Sequence, residues 1–423
     1  MKLRKIYTSA GILLLSLFCI GDAVAKDAKF ETGVSFGSTG ADEPYSSLTD
    51  KDGNYYISGM CRGDVEFAGG ATIKGRGGMD AVIVKYDAEL NFLWARAVGG
   101  SKDDTFERIA VTSAGDIVAV GKISGDVTID GTDQTLSGTQ STDGCIVVYD
   151  KDGNYKSSAQ IKAAGASLCY SVAVDKSDNI FVTGSTVGAT DFGNEKTVTI
   201  EGSNPGTFLA CYNNSLVCQW AIAGSSPVQS YGWAVNFDKE ENILLTGRFG
   251  TTFTITGTDG EALTTAVGSE SSQDTYVAKL SHEGVGQWIT YVTNSNRIDT
   301  RSIDSDSQGN VYIWGHCQSA VTPEGQSPLG FNGNFDSFLI KYSSAGAYLD
   351  GMNLGGSGRD EAKSLFVDAD DNIYVAGNVN GDGSKGGTAV NMNPRGESKD
   401  YTFKGHDGYV AKYNGSTWEL MQL

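Results

Sequence analysis

Histidine is nearly missing from this sequence of 423 residues: only His282, His316 and His406 occur. No two of them stand at metal-ligand spacing, so neither a His-based metal centre nor a Ser-His-Asp hydrolase is supported. Basic residues are outnumbered, 32 Lys and Arg against 51 Asp and Glu, and such a surface repels phosphate backbones, so nucleic acid is excluded as a partner. After the first 25 residues no stretch approaches the roughly 20 apolar residues of a spanning helix. No segment of ten or more residues carries helical spacing either. Proline is scarce, six residues, as expected where most segments donate ladder hydrogen bonds. Gly381 to Lys385 lacks the Gly-Lys-Ser or Gly-Lys-Thr of a phosphate loop, and Ser281 to Trp288 departs from a sialidase-type Asp-box.

The first 25 residues are predicted to be an export signal. Lys2, Arg4 and Lys5 form a positive head, Ala10 to Ile20 an apolar stretch, and Ala23-Val24-Ala25 a small-residue cleavage site. A lipoprotein site at Cys19 is the weaker alternative, because Phe18 stands where a small residue belongs. Cleavage leaves 29 basic against 50 acidic residues, a formal charge of −21, spread along the chain as a solvated surface. The product is expected to be secreted, periplasmic or held at the cell surface, as a monomer without cofactor.

What is abundant is repetition. A turn aspartate or its equivalent recurs at Asp50, Thr112, Asp175, Asp238, Asp306 and Asp368, at offsets of 62, 63, 63, 68 and 62 residues. Such a period marks a supersecondary unit that must stack on its neighbours. Hydrophobic alternation of period two within each unit predicts four strands. In the third unit these are Ser171 to Val174, Ile180 to Thr183, Phe208 to Tyr212 and Gln219 to Ala223. Asp50 to Asn54 and its equivalents read as tight turns with Asp bonding its own backbone. A calcium loop would need the further oxygens that this pattern lacks. Trp94, Trp220, Trp288 and Trp418 are assigned to fourth strands as packing residues. The fold class predicted is all-β: a six-bladed β-propeller of four-stranded antiparallel blades, one domain over 26–423, with units at about 42–100, 101–165, 166–227, 228–295, 296–356 and 357–423.

Three stretches carry a family likeness: Ile109 to Gly121, Asp80-Ala-Val-Ile-Val-Lys-Tyr-Asp87, and Trp94 followed by Gly99-Gly100. Together they resemble the SBBP family of bacterial beta-propeller repeats, over about residues 30–423. The resemblance implies a propeller and no common chemistry. The family name speaks of seven blades, whereas six units are counted here. Two segments compete as the closing strand, Thr32 to Ser38 and Trp418 to Leu423.

In a propeller, equivalent positions form rings. Five residues before the turn stand Tyr45, Glu107, Tyr170, Trp233, Arg301 and Lys363, aromatic or charged throughout, expected to converge at the mouth of a central channel. A second ring follows the glycine of the second strand: Met60, Lys122, Ser185, Arg248, His316 and Asn378. This composition suits a sugar or polar peptide. It equally suits a solvated plug in which Glu107 pairs with Arg301 or Lys363. Asp42, Asp104 and Asp360 recur just before the first ring and are assigned to turn capping rather than to a carboxylate pair for glycoside hydrolysis. Of six cysteines in the mature chain, Cys211 and Cys218 are placed to bridge one hairpin, and the others pack as small apolar groups. Arg62-Gly63-Asp64 spells an adhesion tripeptide, but Gly-Asp belongs to the repeat, as Ser124-Gly125-Asp126 shows. The function expected is a non-catalytic exported binding module for protein, peptide or glycan. The alternatives are an extracellular carbohydrate-active enzyme relying on Glu107 and a structural cell-surface component.

Overall fold

The computed structural model describes residues 36–67, 70–266, 273–380, 388–397, 400–403 and 406–422. The segment predicted to be an export signal and residues 32–35 of the proposed N-terminal closing strand lie outside them. No α-helix occurs among the described residues. The strands form six antiparallel meanders of four, each pairing first to second to third to fourth. The first strands are Asp42–Thr49, Thr105–Val111, Ser167–Val174, Ser230–Phe237, Ile298–Ser305 and Arg359–Val367. The second strands are Tyr55–Arg62, Ile117–Ile129, Ile180–Thr186, Ile243–Phe249, Val311–Cys317 and Ile373–Asn380.

The turn joining these two strands follows from its residues. In the first unit Asp50 Oδ1 accepts the backbone N–H of Asp52 at 3.0 Å and of Asn54 at 2.9 Å, while Oδ2 accepts the Asn54 side-chain amide. Asp175, Asp238, Asp306 and Asp368 repeat the arrangement. The next-to-last turn position has φ near +60° to +85°, at Gly53, Gly115 and Gly309 and at Asp178, Glu241 and Asp371. Gly and Asp tolerate the left-handed region, while Glu241 is held there by the turn. The carboxylate oxygens hold their own turn together, which accounts for the recurrence of Asp there.

Successive units pack the first strand of one against the first three strands of the unit before it. Buried aliphatic and aromatic residues of neighbouring sheets interlock, as Val118 and Val120 of the second unit do with Val172, Val182 and Phe208 of the third. Trp314 is wholly buried, its indole N–H donating to the Ala376 carbonyl of the next unit at 3.0 Å. The loops between second and third strands are mostly hairpins that pair with the fourth strand of the preceding unit. Thr190 and Asp191 pair with Ala163 and Lys162, and Ile255 and Thr254 with Gly224 and Ser225. The variable loops therefore protect an outer strand edge that would otherwise invite pairing with another chain.

Two expectations are corrected here. Cys211 lies opposite Trp220 and Cys218 opposite Tyr212, because the register shifts by one residue at the turn. The thiols consequently point to opposite faces of the sheet, into different cores, and both are free. Trp418 is not on a fourth strand. It lies in the turn ahead of Leu420–Gln422 with φ of 58° and packs on Tyr312 of the fifth unit. Leu420 and Gln422 pair with Tyr413 and Lys412, so the C-terminal segment supplies the fourth strand of the sixth unit. Gly37 makes a single antiparallel bridge to Glu66 in the first unit. Among the described residues no comparable packing joins the sixth unit to the first.

Asp42, Asp104 and Asp360 cap turns. Asp104 accepts the N–H of Gly100 at 3.0 Å and of Ser124 at 2.7 Å, and Asp360 that of Gly356 at 2.7 Å. Burial raises both carboxyls to about 7. A raised carboxyl stabilises the fold below its unfolded value near 4 and loses that contribution as pH climbs through about 7. Replacing Asp360 by asparagine should therefore flatten the fall in stability between pH 5 and 8, by on the order of 1 to 4 kcal/mol. Denaturation midpoints across that range check it. A variant with the wild-type slope contradicts it.

Candidate functional site

The six residues of the first ring share a backbone cause. In every first strand the register with the second shifts across one unpaired residue, and that residue is Tyr45, Glu107, Tyr170, Trp233, Arg301 or Lys363. Each is a β-bulge, which bends the strand and re-aims a side chain. Facing each bulge is the second-strand glycine: Gly59, Gly121, Gly184, Gly247, Gly315 or Gly377. A Cβ there would come within 2.7 Å or less of the bulged strand's backbone carbonyl oxygen. The glycine repeats because the bulge needs its space.

Five of the predicted residues, Tyr170, Trp233, Arg248, Arg301 and His316, come together in one cluster. Tyr170 and Trp233 have ring centroids 4.4 Å apart, and Tyr231 stacks on Trp233 at 5.6 Å and 16°. The Arg248 guanidinium lies 4.7 Å over Tyr231, and that of Arg301 lies 5.0 Å over Trp233. Beneath the two arginines sits Asp299, fully buried. Its carboxylate is 3.3 Å from Arg248, 2.7 Å from Arg297, 3.8 Å from Arg301 and 3.7 Å from His316. Burial alone would raise this carboxyl, but Arg301, His316, Arg248 and Arg297 hold it below the usual range. Burial and Arg301 in turn push His316 down to about 4, so the imidazole is neutral at pH 7.

The remaining members are arranged separately. Lys363 pairs with Glu361 at 3.0 Å, and Arg359, paired with the same carboxylate, lies 4.3 Å over Phe335. Lys363 thus belongs to an ion-pair group beside the aromatic cluster. The Tyr45 hydroxyl donates to Glu43 at 3.0 Å, and Met60 Sδ lies 3.6 Å from it. Glu107 accepts the Thr105 hydroxyl at 2.9 Å, and burial raises its carboxyl despite the nearby charges of Lys122, Arg108 and Arg301. The expected ion pair from Glu107 to Arg301 or Lys363 is replaced by Asp299 with Arg301 and Glu361 with Lys363.

Sequence reasoning missed Tyr231, Asp299 and Glu361. Each stands two residues before a bulge and directly across from the second ring: Arg248 faces Tyr231, His316 faces Asp299 and Asn378 faces Glu361. The signal was present, because strand alternation puts positions two apart on one face. Several buried polar atoms of this region have no hydrogen-bond partner: Trp233 Nε1, Arg248 Nε, His316 Nδ1 and Asn378 Oδ1. Buried polar groups ordinarily find one. Next to the cluster lies a cavity of about 280 Å³ along the first strands of the second to fifth units.

Comparison with known proteins bears on the fold. The model of the SBBP family, described as a beta-propeller repeat, matches residues 158–193. That stretch runs from the fourth strand of the second unit into the hairpin that follows the second strand of the third, so the matched repeat straddles a sheet boundary. The chain is similar to an uncharacterized WD repeat-containing protein, L264, of Acanthamoeba polyphaga mimivirus, at 22% identity over 435 residues. The match covers 84% of this chain and 31% of that protein, so the chain spans about a third of its relative. A protein of unknown function from Bacteroides caccae, known from a crystal structure, shares 11% identity over 64% of this chain and 89% of its own, with a TM-score of 0.25.

Proposed function

We propose that this chain is an exported, non-catalytic binding module in which the six units close into one propeller, with its ligand held at the mouth lined by the bulged residues. The single observation that carries the reading is the cluster of Tyr170, Tyr231 and Trp233 overlaid by Arg248 and Arg301. Flat rings with guanidinium groups beside them and an unmet indole N–H suit a ligand with one flat apolar face and hydrogen-bonding edges, such as a sugar ring or a polar peptide. The beta-propeller repeat and the WD-repeat relative support a scaffold that binds.

Curvature supports closure. The Arg108 guanidinium of the second unit donates to the Arg301 carbonyl of the fifth at 3.3 Å. In a straight stack these units would lie about 30 Å apart, three sheet spacings of about 10 Å. Three steps of the repeat therefore curve far enough for the second and fifth units to meet, which supports a ring closed by six.

Binding is tested by screening the mature protein on glycan and peptide arrays, then titrating the best hit into wild type and a Tyr170→Ala, Trp233→Ala double variant. The expected result is a loss of affinity of about 100-fold, two aromatic contacts at 1 to 2 kcal/mol each. Unchanged affinity in a folded double variant discards the mouth as the site.

A further inference from the structure

The residue following each bulge forms a third ring: Ser46, Arg108, Ser171, Ala234, Ser302 and Ser364. Five members are small, as first strands crowded around an axis require. The sixth is an arginine, so nothing in the repeat's own packing calls for it.

Arg108, Ser171, Ala234 and Ser302 all line the cavity of about 280 Å³. Arg108 reaches across it to the Arg301 carbonyl, and that is its one hydrogen bond. No carboxylate lies within 4 Å of its guanidinium among the described residues. A guanidinium has five N–H donors, and only one of them is bonded to a protein acceptor among the described residues. The lining beside it is mixed: Ala110, Val111, Val174, Val235 and Ile303 bring aliphatic groups, and Ser171, Ser302 and Asn236 bring polar ones. Burial and the neighbouring Arg301 charge lower its pKa, while Glu107 works the other way. Arg108 is half-buried and feels the opposing charge of Glu107 without a direct ion pair to it, and an anion entering the cavity would give the guanidinium a direct charged partner.

We propose that the cavity is a binding site for a small organic carboxylate, its two oxygens on the Arg108 fork and its body against the aliphatic groups of the lining. The planar fork matches a carboxylate in two parallel hydrogen bonds. Inorganic phosphate fits less well, since it would bring a second charge to a single cation and present no apolar surface to the walls. The cavity holds a molecule of benzoate size. This site is distinct from the mouth, and it needs neither the mouth's ligand nor closure of the ring, because the second to fifth units alone build it.

The test follows 4-fluorobenzoate by fluorine NMR with the mature protein, and inorganic phosphate by calorimetry. Arg108→Ser installs the residue that the first, third, fifth and sixth units carry, so the variant is expected to fold and to melt no lower than wild type. Arg108→Lys keeps the charge and removes the fork. Wild type should bind 4-fluorobenzoate at millimolar concentration or tighter, Arg108→Ser at least about tenfold more weakly, and Arg108→Lys in between. The Tyr170→Ala, Trp233→Ala double variant should bind it as wild type does, which separates this site from the mouth. No binding by wild type, equal binding by Arg108→Ser, or phosphate bound as tightly as 4-fluorobenzoate would each overturn the proposal.

Discussion

Replacing Asp299 by alanine is expected to lower unfolding free energy by about 3 to 5 kcal/mol, the cost of removing one side of a buried ionic network. The carboxylate is fully buried and lies within 4.0 Å of Arg248, Arg297, Arg301 and His316. Without it, two guanidinium groups over Tyr231 and Trp233 repel one another with nothing between them. The change should also loosen the aromatic cluster, seen as altered Trp fluorescence at denaturant concentrations where the fold persists. Asp299→Asn keeps the shape and removes the charge, so it should fall between wild type and alanine. A loss below about 1 kcal/mol would place the pair among weak surface bridges and contradict the network.

Gly247→Ala is expected to cost about 3 kcal/mol, the upper end of overpacking penalties, because the added methyl meets backbone rather than a movable side chain. Its nearest neighbour would be the Tyr231 carbonyl oxygen, with the Tyr276 hydroxyl 2.7 Å away on the other side. Relief requires the bulge to move, and Trp233 moves with it. Gly184→Ala should behave alike against the Leu168 carbonyl. Gly330→Ala is the control, since nothing lies within 4 Å of its Cβ position and its φ is ordinary. Denaturation midpoints that fall for the first two and not for the third check the argument. A neutral Gly247→Ala would mean that the bulge is not held in place by its glycine.

Much of the strand order was legible because local chemistry repeats. The turn aspartate bonds its own N–H groups, the strands alternate, and a bulge five residues before the turn keeps the same offset in all six units. The first ring could therefore be found by counting, although its backbone cause could not. What failed involved one-residue shifts or long-range packing. Cys211 and Cys218 look symmetrical about their turn, yet Gln219 is an extra residue on one side and sends the two thiols to different faces. Trp418 fits the period, but its turn holds it back from the strand. Asp299 and Tyr231 were overlooked although they lie two residues from the ring. The partners of Glu107 and Lys363 depend on the angle between sheets, which no spacing in the sequence encodes. The cavity beside Arg108 depends on the same curvature, and only the contrast of one arginine with five small residues marked it in the chain.

Ring closure is most directly tested by spin-label distances between exposed turn positions, because the six cysteines among the described residues are buried and should not compete for label. Cysteines replacing Lys51, Lys239 and Ala369 place labels on the first, fourth and sixth units, at turns exposed in each. If the six units close, the Lys51 to Ala369 distance is the shorter and the Lys51 to Lys239 distance, across the axis, the longer. If the Lys51 to Ala369 distance is instead the longest of the three, the sheets form an open stack, and the mouth assembled from Tyr45 round to Lys363 does not exist.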